Sequence, residues 1–145
     1  MAAIHHQIGV NVSIDEVYRA ITTLEGLSGW WTKTTGDTGV DGILCFHFGE
    51  HTVEMEIQGL DKNKVVWKCI IEEGEWKDTL IKFELVESDE QVFINFSHTD
   101  WAQQTDFCAH CSMKWAVFML SLKDYLEKGK GQPFPEDIHI NHMDM

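Results

Sequence analysis

The chain opens on an every-second pattern. Ile4, His6, Ile8, Val10 and Val12 fall at alternate positions, the period of a strand with one buried face. The pattern then breaks. Ser13 suits an N-cap, Glu16 lies three residues on to close a capping box, and Val12 can staple onto Val17. These signals predict a short helix carrying Ile14, Val17, Tyr18 and Ile21, ending near Thr22-Thr23. A second short helix is expected over Leu24 to Trp31. Thr32 to Gly42 holds three glycines and four threonines without periodicity and reads as a loop.

Alternation returns and persists. Leu44, Phe46 and Phe48 share a face, then Val53, Met55 and Ile57, then Val65, Trp67, Cys69 and Ile71. After the acidic run Glu72-Glu73-Gly74-Glu75 come Ile81, Phe83 and Leu85, then Val92, Ile94 and Phe96. Short polar turns at Gly49-Glu50, Asp61-Lys62-Asn63 and Ser88-Asp89 join these runs, so an antiparallel meander is predicted. From about Thr105 to Lys128 the period becomes helical. Cys108, Cys111, Trp115, Phe118, Met119, Leu122, Tyr125 and Leu126 form one apolar stripe. Lys123, Lys128 and Lys130 suit the helix C-terminus, Gly129 supplies the stop, and Pro133 and Pro135 bar continuation.

A half-buried sheet must cover its apolar face, and the long striped helix is the one element sized to do so. The fold class expected is α+β. A curved antiparallel sheet of about six strands wraps the long C-terminal helix, with two short helices after the first strand. Residues 1–135 form one domain and 136–145 a flexible C-terminal tail. Between a curved sheet and one helix, large side chains interdigitate incompletely, which is where a cavity would form.

Charge narrows the partners. The formal net charge is −13, from 24 acidic and 11 basic residues. Such a surface repels phosphate backbones and anionic headgroups, so neither nucleic acid nor membrane is expected as a partner. The first residues carry no signal-peptide pattern, no apolar run is long enough to span a bilayer, and Cys45, Cys69, Cys108 and Cys111 are unevenly spaced. A cytoplasmic protein with reduced thiols, monomeric or a weak homodimer, is the expectation.

The sequence also carries a resemblance. It lies in the early run from Asn11 to Thr22, in Trp30-Trp31, in Phe96-Ser97-His98-Thr99-Asp100-Trp101, in Cys111 and Trp115, and in Ser121 to Pro133. Through these the chain resembles bacterial proteins grouped with the C-terminal domain of the activator of heat-shock protein 90 ATPase homologue, within the START-like (Bet v 1-like, SRPBCC) superfamily. The resemblance covers about Ile4 to Pro135 and implies the helix-grip fold. It implies as partner a small hydrophobic or amphipathic ligand in an internal cavity, or a chaperone docking on the acidic surface. It also admits an enzyme of the cyclase or hydrolase type.

Candidate walls of such a cavity are Trp30, Trp31, Phe46, Phe48, Met55, Trp67, Phe83, Phe96, Cys111, Trp115 and Met119, with the loop Thr32 to Gly42 as a gate. An enzyme would need a positioned acid or base, for which His98 with Asp100 is the candidate pair. Cys108-Ala109-His110-Cys111 has redox spacing, but both thiols fall on the apolar stripe and no second such motif completes a zinc site. His5, His6, His47, His51, His139 and His142 make no metal-binding helical pair. No metal and no cofactor is expected, and binding is favoured over catalysis.

Overall fold

A computed structural model describes residues 2–141. In chain order it has β1 (Ala2–Val10), α1 (Ile14–Thr22), α2 (Leu24–Trp30), β2 (Thr34–Gly36) and β3 (Ile43–Phe48). There follow β4 (His51–Asp61), β5 (Lys64–Cys69), β6 (Leu80–Glu87), β7 (Val92–Trp101) and α3 (Asp106–Lys128). The strands form one sheet in the order β1-β7-β6-β5-β4-β3-β2. Every neighbouring pair is antiparallel.

The helix-end signals are used. Ser13 Oγ accepts the Glu16 N–H at 3.2 Å and donates to the Glu16 carboxylate at 3.2 Å. Thr23 caps α2 through the Gly26 N–H (3.0 Å) and Thr105 caps α3 through the Cys108 N–H (3.1 Å). Gly129 ends α3 with φ of 81°, a left-handed backbone suited to glycine, and its N–H meets the Tyr125 carbonyl.

The sheet has seven strands rather than about six. The extra one, β2, lies in the segment expected to be a loop and pairs Thr34 with Phe46 and Gly36 with Leu44. Threonine tolerates an extended edge strand, and an edge this short leaves no apolar alternation to detect. The last strand also runs further than its alternation, because a bulge interrupts it. Ile4 pairs with His98, but Ala2 pairs with Trp101, so β7 holds one residue more than β1 across that interval. Asp100, with φ of 68°, absorbs the extra residue. The consequence is a change of face: His98 and Trp101 both point inward and are buried, and Asp100 does not.

The sheet grips α3. Cys108, Cys111, Trp115, Phe118, Met119 and Leu122 are buried in the one apolar core they share with the inward residues of the sheet, and the Trp115 ring meets Phe96 and His98 of β7. After α3 the chain folds back: the Phe134 N–H donates to the Trp31 carbonyl at 2.7 Å. Asp137 is buried in an ion pair with Lys114, so the segment expected to be a flexible tail is anchored at this point. Residues 142–145 of that expected tail, including His142, lie outside the described residues.

Candidate functional site

The expected cavity walls are all buried. Trp30, Trp31, Phe46, Trp67, Phe83, Phe96 and Trp115 are each at most 2% exposed. They meet one another. Trp31 lies 4.3 Å from Phe46 and 4.8 Å from Trp115, ring centre to ring centre, and stacks on Trp67 at 6.2 Å and 2°. Phe83 meets Trp67 at 5.3 Å and Phe96 at 5.2 Å, and Phe96 meets Trp115 at 4.4 Å. These are edge, tilted and stacked contacts that aromatic rings prefer, so the rings are one another's neighbours. Met55, Cys111 and Met119 are buried in the same cluster.

The hollow lies beside this cluster. A cleft of about 930 Å³ opens between the β3–β4 turn, the β5–β6 connection, the first turns of α3 and the segment after it. Phe48, Val53, Ile71, Phe107, Phe134 and Ile140 give it apolar walls. Of the expected wall residues Phe48 borders it, set edge-on to Phe134 at 5.4 Å. Neither Thr32 to Gly42 nor the other ten expected residues are among its lining. That loop is fastened instead: Thr32 Oγ1 donates to the His47 carbonyl and Thr34 Oγ1 to the Thr32 carbonyl.

Phe107, His110 and Lys114 reach the cleft from one face of α3, at steps of three and four. Lys114 is neutralised by Asp137 and also donates to the Ile138 carbonyl at 3.0 Å. Burial holds the His110 imidazole below its ordinary pKa, a hydrogen bond with Asn141 opposes this, and the Lys114 charge lowers it further. Glu50 and Glu73 stand at the exposed rim. The cleft therefore joins apolar walls to an acidic mouth.

His98 does other work. Trp115 Nε1 donates to His98 Nδ1 at 3.0 Å, which puts the ring proton on Nε2. Nε2 then donates to Thr79 Oγ1 at 2.8 Å, and Thr79 donates to the Trp76 carbonyl at 2.6 Å. Both ring nitrogens are occupied, and burial pushes the pKa down to about 3. No hydrogen bond joins His98 to Asp100, whose side of the strand the bulge reverses. The chain Trp115–His98–Thr79–Trp76 is a structural brace.

Trp76 and Thr79 were not marked by periodicity, because they sit in an irregular connection after an acidic run. Burial also governs the cysteines. It raises the Cys111 thiol to about 12, against the opposing effect of the Trp76 Nε1–H that reaches its sulfur at 3.4 Å. Burial raises Cys108 as well, with Glu75 adding to it. Neither is poised for thiolate chemistry. Among the described residues no cluster of His, Cys, Asp and Glu is arranged to hold a metal ion, and no helix is long and apolar enough to cross a membrane.

The family model described as Activator of Hsp90 ATPase homolog 1-like protein matches residues 11–127. The chain belongs to this family. Among solved structures, the Aha1 dimer from Colwellia psychrerythraea is 39% identical, with 90% of this chain and 100% of that chain covered and a TM-score of 0.84. Two more distant likenesses show the fold alone. A Mesorhizobium loti protein is 11% identical over 88% of this chain and 98% of its own, at a TM-score of 0.79. CalU16 from Micromonospora echinospora is 18% identical over 92% and 78%, at 0.74. No curated protein matches the chain.

Proposed function

We propose that the protein binds a small amphipathic molecule in the cleft beside α3. The observation that carries this reading is the pairing of apolar walls with an acidic mouth at Glu50 and Glu73. Lys114 brings no net charge, because Asp137 cancels it. The ligand is then a flat or chain-like apolar body with a neutral or cationic end, and a fatty carboxylate is disfavoured. Catalysis has no support from His98, whose two nitrogens are committed.

A thermal-shift series with an uncharged flat aromatic, a cationic amphiphile and a fatty acid tests the reading. A ligand at a hundred times its dissociation constant stabilises the fold by about 2.7 kcal/mol, several degrees for this length. Stabilisation by the first two probes is expected. Glu50→Lys with Glu73→Lys should weaken the cationic probe at least tenfold and leave the uncharged one bound. A blank with all three sinks the proposal and turns attention to a protein partner of the kind the family description names.

Self-association is a second reading, favoured by one observation. The 39% identical protein, matched over its full length, was solved as a dimer. Sedimentation of the purified chain over a dilution series reads it directly.

A further inference from the structure

α3 has two apolar faces. The inner one fills the core. On the outer one Ala109, Met113, Ala116, Val117 and Leu120 recur at steps of three and four, so they share a face. Met113 is 56% exposed and Leu120 57%, where a helix with a single buried stripe would carry charge. The stripe runs for three turns, about 16 Å.

Both of its flanks are tied down. On one side His6 Nε2 bonds the Ser112 carbonyl at 2.9 Å and Lys123 donates to the Gly9 carbonyl. On the other, Lys114 is held by Asp137 and Ile138, and Ser121 donates to the Trp30 carbonyl at 2.7 Å. The stripe is presented on a fixed helix. Charge reappears at its two ends on the same face, with Asp106 at the start and Asp124 and Lys128 at the finish.

We infer that this stripe is the surface by which the chain pairs with a second copy of itself, α3 against α3 and antiparallel. The inference rests on the self-association proposed above and names its face. A two-fold axis beside Ala116 and Val117 brings Met113 of each copy against Leu120 of the other, a self-complementary contact. Small Ala116 lets the helices approach. The same rotation sets the acidic start of one helix beside Lys128 of the other and opposes the two helix dipoles. An apolar centre with a charged rim has the anatomy of an interface. The sheet edges are poorer surfaces: β2 has three residues, and α3 is bonded along β1. Three turns of helix make a contact below the standard size, and each copy carries −13, so pairing is weak and tightens with salt.

Sedimentation velocity at low and high salt, over a wide range of protein concentration, is the experiment. Wild type should shift from monomer to dimer with concentration, and further so in salt. Leu120→Glu should weaken the dimer at least tenfold with an unchanged circular dichroism spectrum and melting temperature. Val86→Glu, at an exposed site on β6, should leave it intact. Mixing Met113→Lys with Leu120→Glu should give a heterodimer tighter than either variant with itself, because the antiparallel register faces 113 with 120. A wild type monomeric throughout overturns the self-association reading and the inference together. A dimer indifferent to Leu120→Glu and Met113→Lys keeps the reading and overturns the inference.

Discussion

His98 is neutral because no water reaches it to support a charge, and the brace it completes needs one donor and one acceptor nitrogen. Unfolding exposes an imidazole that takes a proton near pH 6.5, whereas the folded ring waits until about 3. Between those values the unfolded chain holds the extra proton. Stability is therefore full above pH 6.5 and declines as the pH falls towards 3, by up to about 1.4 kcal/mol per unit. Urea melts at stepped pH should show that slope. His98→Leu should flatten it and lower stability at pH 7 by about 1–3 kcal/mol, since the Trp115 N–H loses its acceptor in a buried site. A second residue-scale expectation concerns thiols. Cys69, Cys108 and Cys111 are buried, and burial raises all three pKa values, whereas Cys45 is half-exposed. A thiol reagent should label one cysteine per native chain quickly and four after unfolding.

Among elements, the join between α3 and the segment following it is the most consequential. Asp137 and Lys114 are a buried pair, so removing one partner strands the other's charge. Asp137→Ala should cost about 3–5 kcal/mol, and Lys114→Met with Asp137→Leu should recover much of it. Denaturant melts of the two variants beside wild type measure both effects. The sequence shows no trace of this join, because a lone acid in a polar segment has no period. What it does show is informative in the same terms. Alternation located β3 to β7, and Ser13, Glu16 and Gly129 located helix ends, since backbone repeat and cap chemistry are local. The two-residue step from His98 to Asp100 misleads because a bulge between them reverses the face, and a bulge depends on the partner strand. Inward residues such as Trp31 and Trp67 were legible as inward. Whether an inward ring faces a hollow or another ring depends on packing across the whole sheet, which no local pattern encodes. The cleft is built instead from turns and a terminal segment, where periodicity is silent.

For the molecule as a whole, the acidic surface sets which contacts are allowed. It discourages anionic ligands at the cleft and weakens any pairing of like chains, and salt relaxes the latter. The two proposed surfaces lie on different faces of α3: His110 and Lys114 look into the cleft, and Met113 and Leu120 look outward. Ligand binding and self-association can therefore be perturbed separately, and Leu120→Glu should leave the thermal shift of a bound probe unaltered.

The aromatic cluster has an optical consequence. Trp30, Trp67 and Trp115 each neighbour Trp31, at 6.1, 6.2 and 4.8 Å between ring centres, and Trp76 lies 6.0 Å beyond Trp115. At such spacings an excitation absorbed by one indole passes to the next before it is emitted. The five should therefore emit as one coupled antenna, with a lower fluorescence anisotropy than an isolated indole held as rigidly.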